Sequence, residues 1–390
     1  MLKPIPFVSH RTPYYVVQKY MPAFLLAVLF SLPSVGFAQT VDVGLPYTWT
    51  NAVVSDVPLV QMSPFDLAAL QAEDLLNDQY KDRPYRFGYE HQVDIDMLKS
   101  AYVHTVPGKG KVYRLEIFSA GASTMSLLFS QFSLPKGATL HLYDKQAKYL
   151  IGAYTALNNN PYGELGTELI PGDAINVEYF EPQAVAGQGK LRIGMVVHGY
   201  RSPSGILKEG TTKALNDSGD CNHDVGCPTG NGWEEQISSV GLLFTGGGTC
   251  SGALVNNTSN DGTPYFLTAR HCGSNYGAWV VRFNWESSTP VCASTENSVN
   301  PGPPYDETIN GATLRATNGG SDFTLVELTT LTPTLVAQWD LYFAGWDRSD
   351  NIPTTTTGIH HPRGDVKKIC RDNDAPTQSC LLYTSPSPRD

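Results

Sequence analysis

From Val112 onward the chain alternates: Val112, Arg114, Glu116 and Phe118 interleave with Tyr113, Leu115 and Ile117, the period of two that a half-buried strand requires. Residues 126–129, 138–143, 174–180 and 191–200 predict further strands. Turn chemistry separates them at Pro135-Lys136-Gly137, residues 158–163, Pro171-Gly172-Asp173 and Gly187-Gln188-Gly189. Short strands broken at such intervals predict an antiparallel sandwich. A second block of strands is predicted at 237–244 and 248–255, joined by the hairpin turn Thr245-Gly246-Gly247, and then at 265–269, 279–285 and 323–328.

One stretch carries a helical period instead. Ser63 is placed to cap it, Pro64 to take the first helical position, and Asp66 to complete a Ser-x-x-Asp capping arrangement. Phe65, Leu67, Leu70, Ala72, Leu75 and Leu76 then form an apolar face, which predicts a surface helix docked through that face. Residues 39–62, polar and interrupted by Pro46 and Pro58, receive no element. Ahead of them Lys3, Arg11 and Lys19 precede an apolar run over 21–38 that ends in Gly36-Phe37-Ala38, the form of a signal peptide cut near Ala38-Gln39. Pro33 and Gly36 interrupt that run and it is short for a membrane span; no later run is long enough to cross a bilayer.

Charge narrows the classes of partner. The net charge is -10, and the acidic residues are spread along the chain, so there is no electrostatic footprint for nucleic acid or anionic lipid. Cysteine is absent until Cys221 and then recurs at Cys227, Cys250, Cys272, Cys292 and Cys370, which in an exported chain reads as a disulfide framework. A zinc reading would gather Cys221, His223, Cys227, His271 and Cys272, but no C-x2-C or H-x3-H pair supports it, so no metal and no cofactor is expected. His91, His104, His141 and His198 are scattered through the first block without ligand spacing. Between the blocks, residues 202–218 are rich in Gly, Ser, Thr and Lys, as an exposed cleavable linker is, with Lys208 and Lys213 as candidate cut sites if cleavage follows lysine.

The candidate chemistry lies in the second block. Thr268-Ala269-Arg270-His271-Cys272 follows the apolar run Tyr265-Phe266-Leu267, which presents His271 at the end of a buried strand as a general base needs. Asp322 stands at the entrance of the β-branched strand Phe323-Thr324-Leu325-Val326-Glu327-Leu328, where a carboxylate carried inward requires a partner such as a histidine ring N–H. With its upstream Cys250-Ser251-Gly252-Ala253-Leu254, the T-A-x-H-C segment resembles the histidine segment of trypsin-like serine proteases. The closer resemblance is to the bacterial lysyl endopeptidase family. It rests on Cys221-Asn222-His223-Asp224-Val225-Gly226-Cys227-Pro228, Leu254-Val255-Asn256-Asn257-Thr258, Ser321-Asp322-Phe323 and Ala344-Gly345-Trp346-Asp347-Arg348, in the family's order.

That resemblance implies an all-β chain: a signal peptide at 1–38, a pro-region at 39–214 built of a helix and an antiparallel β-sandwich, and at 215–379 a trypsin-like double β-barrel. Of the double barrel, only the first barrel and the start of the second are expected here. It implies a secreted serine endopeptidase acting on proteins or peptides, with lysine as the candidate residue before the cut, His271 as general base and Asp322 orienting it. It also implies disulfides Cys250 with Cys272 and Cys227 with Cys292, and Cys221 paired beyond the chain end. The family's I-H-H-P segment, His360-His361-Pro362, is read as structural, since adjacent strand residues face opposite ways. No G-D-S-G or G-S-S-G segment follows His271, and residues 380–390 resemble one reading frame of a sequencing adapter. The natural chain is therefore expected to continue past Ser379 to its serine, and the 390-residue polypeptide to be inactive. Two other classes stay open: a catalytically dead, protease-like binding module, and a secreted adhesive β-protein that keeps residues 39–214.

Overall fold

The computed structural model describes residues 44–53, 56–80, 82–201, 221–292, 298, 305–349 and 351–376. The expected signal peptide, the linker and the adapter-like segment lie outside them. Chain contacts separate Met1–Val35 from Gly36–Asp390, and all described residues fall in the second unit. Among the described residues no helix is long and apolar enough to cross a membrane.

The alternation seen from Val112 becomes the strand Gly110–Phe118, in which Tyr113, Leu115 and Ile117 are buried while Arg114 and Glu116 stay partly covered. It pairs with Tyr102–Val106 and Ala174–Pro182 antiparallel and with Leu59–Gln61 in parallel, and Thr139–Asp144 and Leu150–Tyr154 extend that sheet. A second sheet runs Ile170–Pro171, Thr124–Ser133, Lys190–Gly199, Gly88–Asp96. Leu115 and Ile117 of one sheet share a core with Leu127, Phe129, Ile193 and Val197 of the other. Non-directional burial of this apolar surface is what holds the sandwich together.

The helix differs from its prediction in both its start and its contacts. It spans Leu67–Asn77 and is capped by Asp66, whose Oδ1 accepts the Ala69 N–H at 3.0 Å, not by Ser63. Phe65 explains the shift: it stacks on Tyr89 at 4.1 Å and meets His91 and His198 edge-on, which holds Ser63 to Phe65 outside the helix against the second sheet. The apolar face is not the docked face, for Leu75 and Leu76 are exposed and Asp74 is the buried residue. Asp74 accepts from Arg86 Nε at 2.7 Å and from Tyr200 Oη at 2.5 Å, and Asp78 accepts from both ends of the Arg201 guanidinium. Charge-assisted hydrogen bonds of this kind are the strong ones, and here they fix the helix.

The carboxy-terminal part is a curled antiparallel sheet in the order Thr308–Asn310, Val280–Arg282, Val240–Thr245, Gly248–Val255, Tyr265–Ala269, Phe323–Glu327, Thr313–Asn318. The expected strand start at Ile237 is corrected: Ile237 ends the short helix Glu234–Ile237 and the strand begins at Val240. A smaller sheet joins His223–Asp224, Lys368–Asp372 and Thr356–His360. The architecture is all-β and trypsin-like. Leu243, Val281 and Phe283 point into the barrel, whereas Leu242, Phe244 and Val280 join the core of the sandwich. Both faces of these strands are thus covered, which accounts for their unbroken apolar runs.

The seam between the two parts is sealed by polar groups as well. Arg282 donates to Glu168 through Nε at 3.1 Å and Nη2 at 2.6 Å, Thr308 donates to the same carboxylate, and Tyr305 lies 3.9 Å beneath the guanidinium. Asn310 donates to the Gly166 carbonyl and Asn160 to the Gly277 carbonyl. Residues Tyr85–Arg86 of the amino-terminal part even add a short strand to the barrel sheet, opposite Gly248 and Thr249.

Candidate active site

Strand register brings the two candidate residues together. Tyr265–Ala269 and Phe323–Glu327 run antiparallel with Ala269 opposite Phe323, so one step beyond that pair Arg270 meets Asp322, and His271 follows. The Arg270 N–H donates to the Asp322 carbonyl at 3.1 Å. The His271 backbone N–H donates to Asp322 Oδ1 at 2.9 Å, and His271 Nδ1 lies 2.6 Å from Oδ2. Both oxygens of one carboxylate are therefore engaged by a single residue. With Nδ1 held, Nε2 is the ring atom left to exchange a proton with a neighbour.

Asp322 reaches this position through unusual backbone. Its φ is 47°, in the left-handed region that aspartate tolerates better than most residues. The preceding turn is closed by Asn318, whose Oδ1 accepts the N–H groups of Gly320 and Ser321 and the Ser321 hydroxyl. Asn318 escaped the reading of the sequence. Its signal was the Asn-Gly-Gly-Ser run, since asparagine side chains commonly bond their own backbone two residues on.

One of two disulfides among the described residues lies beside the pair. Cys250–Cys272 ties the histidine segment to the neighbouring strand, and Cys227–Cys292 ties the beginning of the carboxy-terminal part to the loop after Trp285. Thr268 Oγ1 donates to the Ser251 carbonyl at 2.8 Å, and Ser251 Oγ accepts the His361 N–H at 2.8 Å. His361 itself is buried, with Nδ1 2.9 Å from the Asp365 carbonyl, and burial depresses its pKa well below the ordinary histidine value. The expected partner of Cys221 lies outside the described residues. Cys250, His271 and Cys272 place ligand atoms within 4.8 Å of one another, but the disulfide consumes both sulfurs, so this set does not make a zinc site.

His271 opens into a cavity of about 560 Å³ whose walls include Ser251 and Cys272 from the barrel and His360 from the smaller sheet. Its other walls include Tyr80, Arg83 and Tyr85 from the amino-terminal part, which no motif had associated with the site. His360 is thus at the cavity while His361 is in the core, as their opposed directions require. Arg83 beside it holds the Asp82 carboxyl below the usual range, and His271 adds a smaller pull in the same direction. The arrangement offers an oriented imidazole at the edge of a cleft, which is the equipment of a general base.

Residues 215–387 match the family described as the lysyl endopeptidase C-terminal domain, a span that runs into the adapter-like segment. A lysyl endopeptidase of Pseudomonas aeruginosa is 27% identical over 297 residues, covering 72% of this chain and 61% of that protein. The chain therefore spans less than two thirds of that relative.

Proposed function

Starting from a chain related to the lysyl endopeptidase-like proteases, we propose that it is the precursor of a secreted serine endopeptidase that hydrolyses peptide bonds through an acyl-enzyme. The observation that supports this most is the double engagement of Asp322 by His271, through the backbone N–H and through Nδ1. Fixed in that way, Nε2 takes the proton of a serine hydroxyl as it attacks the substrate carbonyl and returns it to the leaving amine; Asp322 stabilises the imidazolium formed between these steps. The substrate is a protein or peptide. The name of the Pseudomonas relative makes lysine the first residue to test on the acyl side of the cut bond.

A serine in a Gly-rich turn completes the triad and brings the backbone donors of an oxyanion hole. No G-D-S-G or G-S-S-G segment lies between His271 and Asp390, so the 390-residue polypeptide is proposed to lack hydrolytic activity. In this reading residues 1–38 direct export and residues 39–214 are a pro-region that assists folding of a slow, non-local β-topology and keeps the enzyme latent. The test is to read the source DNA through the codon for Ser379. A following Gly-rich S-G-x-P segment and a further cysteine are expected; a stop codon, or another residue in place of the serine, overturns the assignment. In the completed enzyme Asp322→Asn is expected to lower kcat by about 10⁴-fold.

A further inference from the structure

The strand Gly248–Val255 is only half covered on the side facing the catalytic segment. Its partner Tyr265–Ala269 pairs with residues from Gly252 to Val255, which leaves the stretch from Gly248 to Ser251 without a neighbour from that strand. Tyr85–Arg86 fills part of this space, with Arg86 opposite Gly248 and Tyr85 opposite Thr249. Following the segment backward from Tyr85 to Arg83 leads in the direction of Cys250 and Ser251, and Arg83 and His271 line the same cavity. The segment therefore lies on the edge along which an extended peptide would reach His271.

The hairpin Thr245 to Gly248 is shaped to accept it. The Gly247 carbonyl accepts the N–H groups of Phe87 and Gly88 at 2.8 and 3.1 Å, and the Gly247 N–H donates to Glu90 Oε1 at 2.9 Å. A Cβ on Gly248 would stand 2.8 Å from Cβ of Pro84, closer than such atoms approach one another. Gly246, at φ 72°, makes the turn. Each glycine of the run thus meets a requirement either of the turn or of the segment laid on it, and a hairpin turn alone demands fewer of them.

We propose that Gly246-Gly247-Gly248 is a docking edge for the chain's own amino-terminal part, and that the segment from Asp82 to Arg86 laid on it keeps extended peptides from His271. The proposal rests on the reading of His271 as the general base. Arg83 is followed by Pro84, which has no amide hydrogen to donate to the strand Gly248–Val255, so the docked segment bonds that strand from Tyr85 onward.

A fluorescent synthetic peptide of residues 82–88, titrated against the full chain, tests it together with hydrogen exchange over residues 247–250. The wild-type chain is expected to leave the peptide unbound and to protect 247–250. Tyr85→Pro removes an N–H and distorts the docked strand, so it is expected to speed exchange there and admit the peptide. Adding Gly248→Ala is expected to weaken that binding about tenfold or more, and a peptide carrying Pro84→Gly to restore part of it. Equal binding of the peptide to the wild-type and Tyr85→Pro chains would overturn the proposal, as would indifference to Gly248→Ala. Should Tyr85→Pro fail to fold, exchange over 247–250 in the wild-type chain as fast as in an open loop would still overturn it. None of these measurements involves hydrolysis, so a residue other than serine in the triad would leave them standing.

Discussion

Two carboxylates each hold a cationic or proton-bearing partner in this protein, and their surroundings differ. Glu168 and Arg282 are sealed in the seam, with side chains 0% and 2% exposed, whereas Asp322 and His271 remain 31% and 25% exposed at a cleft. A buried ion pair is costly to desolvate and is tolerated where every donor and acceptor finds a partner of good geometry. Glu168 has the Leu169 N–H, Thr308 and two guanidinium nitrogens, while Arg282 Nη1 finds no hydrogen-bond acceptor among the described residues and the guanidinium lies against the rings of Phe244, Trp285 and Tyr305. The open pair carries less of that cost and keeps one ring nitrogen accessible, which suits the general-base role proposed for His271. Burial thus separates a pair that ties the amino-terminal sandwich to the barrel sheet from a pair left open to a cleft.

The largest expected effect breaks the sealed pair. Glu168→Gln leaves Arg282 buried without a counter-charge and should cost about 3–5 kcal/mol, read as a lower urea midpoint for the whole chain. Replacing both residues, Glu168→Leu with Arg282→Met, should recover most of that loss, because no uncompensated charge remains. A destabilisation by the single change that the double change does not relieve would mean that the guanidinium's stacking on Tyr305 matters more than its charge. Next in size is Asp74→Asn, at about 1.5–3 kcal/mol for a charged group bonded to Arg86 and Tyr200, while Leu75→Ala should stay within about 0.5 kcal/mol.

The helix shows where the sequence misled and why. Its period and approximate location were legible, but an apolar stripe of Leu67, Leu70, Leu75 and Leu76 does not reveal that Arg86, Tyr200 and Arg201 converge on Asp74 from distant positions. The strands of the barrel were legible because Tyr265–Ala269 and Phe323–Glu327 carry apolar and β-branched residues between clear turns. Gly88–Asp96 was missed although Tyr89, His91, Val93 and Ile95 alternate with polar residues, because half of its inward positions are not simple hydrophobes. The approach of His271 to Asp322 depends on register and on a left-handed backbone at Asp322, and one sequence encodes neither openly. The cover of the cleft was not legible at all, since it joins Tyr80 to Arg86 with a hairpin some 160 positions later.

A third effect uses pH. His198, in the sandwich, is hydrogen-bonded to Ser119 at 2.7 Å and its pKa falls to about 4, through burial first and the neighbouring His91 second, with Asp173 opposing. In the unfolded chain a histidine titrates near 6.5, so between about 6.5 and 4 the unfolded state binds the extra proton. Stability from this group is complete above the unfolded pKa and is lost as pH falls towards 4. His91, His141 and His361 are depressed too, so thermal midpoints should drop steadily with acidification, and His198→Gln should reduce that slope without abolishing it. An unchanged slope would place the acid sensitivity in the other histidines.

Breaking the open pair should affect stability less than breaking either buried carboxylate, and it discriminates most sharply between the two pairs. Asp322→Asn keeps an oxygen for the His271 N–H but is then obliged to present an amide N–H₂ to Nδ1. A part-exposed pair of this kind contributes about 1 kcal/mol at most, so the urea midpoint should hardly move. The ring must respond, however, since Nδ1 can accept from an amide only by giving up its own hydrogen. The imidazole is expected to change from the Nδ1–H to the Nε2–H tautomer, visible as an exchange of the two ring ¹⁵N shifts. A large loss of stability with unchanged ring shifts would make Asp322 a structural carboxylate like Glu168. A tautomer change with stability retained would leave orientation of His271 as its role, because nothing else in the fold would depend on it.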